Sequence, residues 1–241
     1  MKSLVIIPTY NEKENVAAIT LAVLQATSTT EFNSGSNRVD ILVADDNSPD
    51  GTGQIVRELM TRESRLKLLA RPGKQGLGRA YIAAFKWAME NGYDAMVEMD
   101  ADFSHRPEDL LKILAGLRHH DFVVGSRYTP GGSTVNWGLL RKLISRGGSI
   151  YSRLILGFPV KDWTGGFNGW HRRVLETIGL DLIKSEGYSF QIELKYRSLR
   201  KGFDGTEVPI VFEDRRVGTS KMSMKIVLEA FLRVWAMRLT A

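Results

Sequence analysis

Short apolar runs alternate with helical patterns along the first half of this chain, and the runs end in polar residues. Runs of about five β-branched and aliphatic residues, separated by helix-length segments, are typical of βαβ units built around a mostly parallel sheet. In sheets of this kind, ligands bind beyond the carboxyl ends of the strands. The predicted strands are residues 4–8, 40–44, 66–70, 95–99 and 122–125.

The pattern changes after Tyr128. A glycine-rich loop is followed by a predicted helix at 138–156, a second loop at 162–169, helices at 172–178 and 189–200, and a strand at 206–212. The last predicted helix, 224–240, is amphipathic, because polar residues recur every four positions from Lys221 to Arg233. It is long enough to lie in a membrane interface or to pack on the domain, and both alternatives stay open.

Composition excludes several classes of protein. With 241 residues and 43% hydrophobic residues, the chain can bury a large core, so a folded α/β domain is expected. The absence of cysteine excludes disulfides, thiolate metal sites and thiol catalysis. The first apolar run stops at Pro8, which is too early for a secretory signal, and no run is long enough to span a bilayer. We therefore expect a cytoplasmic protein with at most peripheral membrane contact.

The net charge of +6 predicts an anionic partner. The excess is concentrated in residues 195–241, which contain ten Lys/Arg and five Asp/Glu. Phosphates or anionic lipids suit this region. No zinc-finger spacing, RNP-type strand or dense basic run is present, so nucleic acid is not the expected partner.

Two carboxylates, Asp100 and Asp102, directly follow the predicted strand 95–99. A pair of carboxylates suits a hard divalent cation that keeps some waters and also binds diphosphate oxygens. Such a pair also often caps a following helix, so the motif is weak evidence by itself.

Two further motifs follow predicted strands, Pro8-Thr9-Tyr10-Asn11-Glu12 and Asp45-Asp46-Asn47-Ser48-Pro49-Asp50-Gly51-Thr52. Tyr10 can stack on a nucleobase, and Glu12 and the paired aspartates can accept hydrogen bonds from a base and a ribose. Asp50 and Thr52 are expected to cap the next helix. A dinucleotide-binding fingerprint is absent after the first strand, and no Walker-type phosphate loop occurs.

Taken together in this order, the segments PTYNE, DDNSPDGT, GKQGLGRA, DADFSHRPED, GSRY, TGGF, EGYSFQIE and RRVGTSK resemble the family 2 glycosyltransferases. More narrowly, they resemble the polyprenyl (dolichyl) phosphate mannose synthases, and the likeness extends from Leu4 to about Lys221. Asp-x-Asp and the double-aspartate turn are shared by the whole family. The joint presence of DADFSH, GSRY and RxxGxSK is more specific.

The resemblance implies a GT-A fold, with a catalytic domain at 1–220. The amphipathic helix at 221–241 follows it, and its apolar face is expected either to lie in a membrane interface or to pack on the domain. It implies Mg²⁺ or Mn²⁺ as cofactor, bound by Asp100, Asp102 and Ser104. Arg127 and Arg141 are expected to bind an acceptor phosphate, and Asp102, Arg127, Arg215 and Lys221 are the expected catalytic residues. Asn168 stands where relatives often carry a basic residue. The residues expected to bind the nucleotide sugar are Pro8, Tyr10, Glu12, Asp45, Asp46, Lys74, Asp100, Ala101, Asp102, Arg215 and Lys221.

The resemblance further implies inverting transfer of mannose from GDP-mannose to a polyprenyl phosphate, giving polyprenyl phosphomannose and GDP at the cytoplasmic face of a membrane. Transfer of glucose from UDP-glucose to the same acceptor is the closest alternative. A non-catalytic nucleotide-sugar binding module at the membrane is the alternative from a different class. The sequence leaves the oligomeric state open.

Overall fold

The computed structural model describes residues 1–35, 37–214 and 224–240. In these ranges strands and helices alternate from Lys2 to Gly116, as the sequence predicts. The strands are β1 (Lys2–Thr9), β2 (Arg38–Asp45), β3 (Leu66–Ala70), β4 (Ala95–Glu98), β5 (Phe122–Ser126), β6 (Ser133–Val135), β7 (Asn168–His171), β8 (Gly205–Pro209) and β9 (Val211–Glu213). The helices are α1 (Val16–Ala26), α2 (Thr52–Met60), α3 (Leu77–Glu90), α4 (Pro107–Gly116), α5 (Leu139–Leu156), α6 (Arg172–Ile178), α7 (Gly187–Arg200) and α8 (Met224–Thr240), with a 3₁₀ turn at Leu180–Leu182.

Seven strands of the described chain form one sheet in the order β3-β2-β1-β4-β7-β5-β8. Only β7 runs antiparallel to its neighbours in that sheet. The register of β1 and β2 pairs Thr9 with Asp45, so the two strands end at the same edge. The carboxyl ends of β1 to β5 therefore present their following loops at one side of the molecule. The predicted GT-A type arrangement, a mostly parallel sheet flanked by helices, is confirmed.

Successive side chains of the central strands enter two different cores, because side chains alternate between the faces of a strand. Val5 and Ile7 pack in a cluster with residues of α1 and α4. Leu4 and Ile6 pack in a second cluster, with residues of α3, α6 and α7. Burial on both faces explains why β1 reads as a continuous apolar run rather than as an alternating one.

Strand β7 lies where the sequence predicts a loop running to residue 169. Its four residues begin with Asn168-Gly169 and carry no β-branched side chain, so local propensity gives only the weak strand signal of Trp170. The neighbouring strands determine its conformation, because β7 pairs with both β4 and β5. The prediction of a single strand at 206–212 is also wrong. The segment forms two strands, of which β8 extends the main sheet and β9 pairs with β6.

Helices α5 and α8 form a layer of their own with α7. Val234 and Met237 of α8 are buried in a third cluster with Trp163 and Tyr196. The Tyr151 ring of α5 stacks on Phe231 with 4.2 Å between centroids. Both helices nevertheless leave large apolar side chains in solvent, namely Leu139, Leu140, Leu143, Ile150 and Leu154 on α5 and Phe231, Leu232, Trp235 and Leu239 on α8. None of the described helices is both long and apolar enough to cross a bilayer.

Candidate active site

A cavity of about 340 Å³ opens at the carboxyl edge of the sheet. It collects residues that are far apart in the sequence, because the loops after β1, β2, β4 and β5 meet there. Of the predicted site residues that the structure describes, it brings together Pro8, Tyr10, Glu12, Asp46, Lys74, Asp100, Ala101, Asp102, Arg127 and Arg141. The remaining lining residues include Tyr81, His105, Trp137, Thr164, Gln191 and Phe212.

The first two loops are joined by hydrogen bonds. Thr9 Oγ1 donates to Asp45 Oδ1 at 2.9 Å, and Ser48 donates to both oxygens of the same carboxylate. Asp45 is buried and does not line the cavity, so its hydrogen bonds hold the loops together. Asp46 does line the cavity, and its carboxylate pairs with Arg71. The nucleotide contact predicted for Asp45 thus stays a prediction.

Tyr10 and Lys74, which both line the cavity, lie close to one another. The Lys74 ammonium lies 4.4 Å from the centre of the Tyr10 ring. The backbone turns sharply after Tyr10, since Asn11 has a positive φ of 59°. The Glu12 N–H donates to Thr52 Oγ1 at 3.0 Å, which fixes the start of the next segment against α2. Tyr10 therefore offers an aromatic ring, and Lys74 a cation, to a ligand in the cavity.

Asp100 and Asp102 both face the cavity directly after β4. Phe103 adopts a positive φ of 61° beyond them, so the chain folds back. Its neighbour Ser104 donates its N–H and its hydroxyl to Asp102 Oδ1, at 3.1 and 2.5 Å. Asp102 is nearly buried, whereas the Asp100 side chain is 35% exposed. The pair thus combines one fixed carboxylate with one that faces solvent.

The donor atoms fit a divalent cation. Asp100 and Asp102 supply two carboxylates to the cavity, and the described residues contain no group of three or more carboxylates and imidazoles that could hold a metal. Mg²⁺ and Mn²⁺ accept such a site when waters and diphosphate oxygens supply the other positions. Ser104 is buried, does not line the cavity and already donates to Asp102. Its predicted contact to the metal remains a prediction, and its observed effect is to orient Asp102.

His105 is held behind the carboxylate pair. It stacks on Phe167 at 4.5 Å between ring centroids, and its Nδ1 accepts a hydrogen bond from the Asp100 N–H at 3.0 Å. Burial lowers the pKa of His105 to about 4, so the ring is neutral at pH 7. With Nδ1 acting as the acceptor, the proton resides on Nε2. His105 therefore supports the turn as a neutral hydrogen-bonding residue.

Arg127 lines the cavity but is also one half of a buried ion pair. Its Nε and Nη2 donate to the two oxygens of Asp162 at 2.7 and 2.6 Å, and Nη2 also donates to Thr164 Oγ1 at 2.9 Å. Burial alone would raise the pKa of Asp162, but Arg127 lowers it below its ordinary value. The pair links the end of β5 to the 162–167 loop. Arg127 thus reaches an acceptor only as part of a fixed unit.

Arg141, at the start of α5, also lines the cavity. Its guanidinium stands 4.1 Å from the Trp137 ring and donates to Asp214 Oδ1 at 2.6 Å. Trp137 is itself buried and lines the cavity. Arg215 and Lys221, both predicted to be catalytic, lie outside the described residues, as do Gly218 and Ser220 of the same motif.

Sequence reasoning missed a buried polar network below the cavity floor. Glu98, the last residue of β4, accepts hydrogen bonds from Asn168 Nδ2, Trp170 Nε1 and Gln191 Nε2 at 3.2, 3.0 and 2.8 Å. Lys195 donates to the backbone carbonyls of Trp163 and Gly165 at 3.1 and 2.7 Å. The only signal in the sequence was the presence of charged residues among apolar neighbours in β4 and α7.

The network joins the end of β4, which precedes Asp100 and Asp102, to the 162–167 loop. Burial raises the pKa of Glu98 to about 7 and lowers that of Lys195 to about 8. Asn168, which is completely buried, also donates to Gly165 O at 3.0 Å. Asn168 therefore stabilises the interior of the fold.

Comparisons with known proteins agree with this geometry. The Glycosyl transferase family 2 model matches residues 4–179, from β1 to the end of α6. Among solved structures, glucosyl-3-phosphoglycerate synthase of Mycobacterium tuberculosis, in complex with Mn²⁺, UDP and phosphoglyceric acid, superposes with a TM-score of 0.69. That alignment covers 98% of this chain and 78% of the other, at 18% identity, and so establishes a shared fold.

Two relatives are far more similar in sequence. An undecaprenyl-phosphate mannosyltransferase of Micrococcus luteus is 45% identical over 234 residues, covering 97% of this chain and 93% of that protein. A polyprenol monophosphomannose synthase of Mycolicibacterium smegmatis is 44% identical, with coverage of 98% and 88%. The matching family model and relatives of this similarity, together with the cavity at the carboxyl edge of the sheet, show that this chain is a glycosyltransferase and belongs to glycosyl transferase family 2.

Proposed function

We propose that this enzyme transfers mannose from GDP-mannose to a polyprenyl phosphate, giving polyprenyl phosphomannose and GDP. The observation that carries the proposal is the composition of the cavity. Its carboxylate pair, Asp100 and Asp102, follows the central strand β4. Its cation Arg141 belongs to α5, the helix that carries exposed leucines. The names of the two similar relatives support mannose as the sugar and a polyprenyl phosphate as the acceptor.

The donor is assigned to the side of the cavity formed by the loops after β1, β2 and β4. Tyr10 offers a ring to the base, Glu12 and Asp46 offer acceptors, and Lys74 offers a cation to phosphate. Asp100 and Asp102 would hold Mg²⁺ or Mn²⁺, which neutralises negative charge on a diphosphate when bound. The choice of guanine over uracil rests on the likeness to the polyprenyl phosphate mannose synthases.

The acceptor is assigned to the end at Trp137 and Arg141. Arg141 lines the cavity, and its neighbours Leu139, Leu140 and Leu143 are at least 70% exposed. A lipid phosphate can meet the guanidinium there while its isoprenoid chain remains beside the leucines. A free sugar hydroxyl as acceptor would give no reason for exposed leucines at this place.

The exposed leucines also support a peripheral membrane contact. One face of α5 carries four of these exposed apolar residues, because their spacing in the sequence matches the helical repeat: Leu139, Leu143, Ile150 and Leu154. Exposed cations Lys142, Arg146 and Arg153 occupy the same helix. Apolar residues with flanking cations are typical of a helix in the interface of an anionic membrane. The cytoplasmic face remains our prediction for its location.

In the proposed step, an acceptor phosphate oxygen forms a bond to C1 of mannose while the bond from C1 to the diphosphate oxygen of GDP breaks. The bonding pair leaves with GDP, and the configuration at C1 inverts. A phosphate monoester has its second pKa near about 6, so it is already largely a dianion at neutral pH and needs no base. The fixed Arg127–Asp162 unit and Arg141 would position that dianion.

The decisive experiment incubates the purified protein with labelled GDP-mannose or UDP-glucose, a polyprenyl phosphate, and Mn²⁺ or EDTA. We expect label in the lipid extract only from GDP-mannose with metal. If UDP-glucose labels the lipid at a rate equal to or higher than GDP-mannose does, the assignment of GDP-mannose as the donor is wrong. Hydrolysis of donor without any lipid product would contradict the acceptor assignment.

A further inference from the structure

A second cleft, of about 520 Å³, lies between α7, α8 and the segment that follows α6. It shares no lining residue with the candidate active site. Helix α7 separates the two, because Gln191 faces the active-site cavity whereas Glu193 and Tyr196 face the cleft. Residues two apart on a helix point in nearly opposite directions, so the same helix serves both cavities.

The charge of this second cleft is strongly positive. Its lining contains Lys184, Arg197, Arg200, Lys201 and Arg233 against the single carboxylate of Glu193. That carboxylate is already neutralised, since Oε1 accepts from Arg197 at 2.7 Å and Oε2 accepts from the Ser185 N–H at 3.2 Å. Within the described part of the chain, no ion pair joins Lys184, Arg200, Lys201 or Arg233 to a carboxylate.

Two buried hydroxyl groups make the cleft more than a patch of surface charge. Ser185 is 5% exposed and Tyr196 is 1% exposed, and both line the cleft. Neither Ser185 Oγ nor Tyr196 OH has a hydrogen-bond partner among the described residues. A buried hydroxyl without a partner is costly, so a ligand that accepts hydrogen bonds would satisfy both groups. Cations at the rim and hydroxyl donors inside are the groups that bind phosphate oxygens.

We propose that the cleft between α7 and α8 is a second anion site, which binds a phosphate group supplied by a phospholipid headgroup or by a soluble phosphate. The Lys184, Arg200, Lys201 and Arg233 side chains neutralise its charge, and the Ser185 and Tyr196 hydroxyls donate to its oxygens. The site lies apart from the cavity used for transfer. It does not depend on the identity of the donor or of the acceptor.

The position of α8 explains how a lipid headgroup would reach the cleft. Arg233, Ala236 and Met237 face it from one side of the helix. Leu232 and Trp235 are exposed on the same helix and available to a membrane. A lipid bound there would tie α8 to the membrane through its headgroup as well as through these apolar side chains.

Methyl NMR on the full chain, labelled at the methionine methyl groups, tests the site at a known position. Met237 lines the cleft and is 8% exposed, so its signal reports occupancy, and Met237→Leu assigns it. We expect inorganic phosphate to shift the Met237 signal saturably. The double variant Arg200→Glu/Lys201→Glu should weaken that binding by about tenfold or more. Tyr196→Phe, which keeps the ring and removes the hydroxyl, should weaken it by about threefold to tenfold.

The matched control is Arg62→Glu/Lys67→Glu, which makes the same change in charge near the end of α2 and the start of β3. It should bind phosphate as the wild type does. Thermal midpoints of all variants verify that they fold. Absence of a saturable Met237 shift in the wild type, or equal affinities for the cleft and control variants, would overturn the proposal.

Vesicle co-sedimentation distinguishes the two sources of phosphate. Vesicles of phosphatidylcholine with and without phosphatidylglycerol are compared for the cleft and control variants. A loss of binding to phosphatidylglycerol vesicles in the cleft variant alone assigns the site to a lipid headgroup. Unchanged vesicle binding, together with weakened binding of inorganic phosphate, assigns it to a soluble phosphate.

Discussion

At the scale of single residues, Asp102 is the more firmly held carboxylate of the predicted metal pair, since it is buried whereas the Asp100 side chain is 35% exposed. Both of its hydrogen bonds from Ser104 end on Oδ1. We predict that Asp102→Asn lowers kcat/KM by about a thousandfold, since it removes negative charge from the predicted metal site. The amide oxygen can still accept from Ser104, so the thermal midpoint should change little.

Steady-state transfer and thermal melting, measured on the same samples, check this prediction. Asp181→Asn is the control, because the Asp181 side chain is 81% exposed and remote from the cavity lining. Retention of turnover within tenfold of wild type in Asp102→Asn would remove Asp102 from the metal site.

Glu98 should make stability depend on pH. Burial raises its pKa from 4.5 to about 7, so between these values the folded state holds a proton that the unfolded chain has released. The contribution of Glu98 to folding therefore decreases as the pH rises through this window. We predict that the free energy of unfolding of the wild type, relative to Glu98→Gln, falls by up to roughly 1 kcal/mol per pH unit between pH 5 and 7.

Urea unfolding at pH 5, 6 and 7 measures this difference. Glu90→Gln, at an exposed position near the end of α3, should instead give a curve parallel to the wild type. If the free energy of unfolding of the wild type, relative to Glu98→Gln, stays constant or increases with pH, then Glu98 is already ionised when buried.

At the scale of elements, the exposed face of α5 leads to a prediction about membrane binding. Leu143 is 70% exposed, so its replacement should leave the fold unchanged. We predict that Leu143→Ser weakens binding to anionic vesicles by about tenfold, because a buried leucine contributes about 1.5–3 kcal/mol. Leu21→Ser, on the exposed side of α1, is the matched control, since Leu21 is 54% exposed. Equal co-sedimentation of the two variants would mean that α5 does not enter the interface.

The connection from β5 to β6 requires a residue without a side chain. A Cβ on Gly132 would collide with the backbone of Ser126 and would lie 2.9 Å from the Arg127 carbonyl carbon. Backbone atoms cannot move aside as side-chain tips can. We predict that Gly132→Ala costs about 1–3 kcal/mol of stability and also disturbs the Arg127–Asp162 unit.

Gly147→Ala should instead increase the stability of the protein. Gly147 lies inside α5, and no neighbouring atom of the described residues lies within 4 Å of the position that a Cβ would take. Alanine should therefore add up to about 1 kcal/mol of stability. The thermal midpoints of Gly132→Ala and Gly147→Ala, measured in the absence of lipid and compared with that of the wild type, test both predictions. A Gly132→Ala protein as stable as wild type would show that this connection can shift.

At the scale of the whole molecule, the cavity joins loops from both halves of the sheet, so a ligand that fills it should stabilise the entire domain. We predict that GDP with Mn²⁺, at about a hundred times its dissociation constant, adds about 3 kcal/mol to the free energy of unfolding. The metal-dependent part of that gain should disappear in Asp102→Asn. Thermal shift with GDP, with Mn²⁺ and with both separates the contributions. An unchanged gain in the variant would contradict binding of the metal by Asp102.

The sequence by itself determined the strand-and-helix alternation, the position of the polar residues at strand ends and the family resemblance. These features are local. A buried parallel strand must be an apolar run, and a strand end that binds a ligand must expose polar residues within the next few positions. For this reason Tyr10, Asp46, Asp100 and Asp102 could be placed at one edge before the fold was known, and the structure brings them into one cavity.

Only the tertiary structure decided what depends on distant partners. Strand β7 has little strand propensity of its own and forms because β4 and β5 supply hydrogen bonds on both sides. Whether Asp45 lines the cavity or ties two loops together depends on Thr9 and Ser48, and whether Arg127 is free to bind depends on Asp162, 35 residues away. A sequence shows which groups can be charged or can donate, but the energy of each buried group is set by the neighbours that folding brings to it.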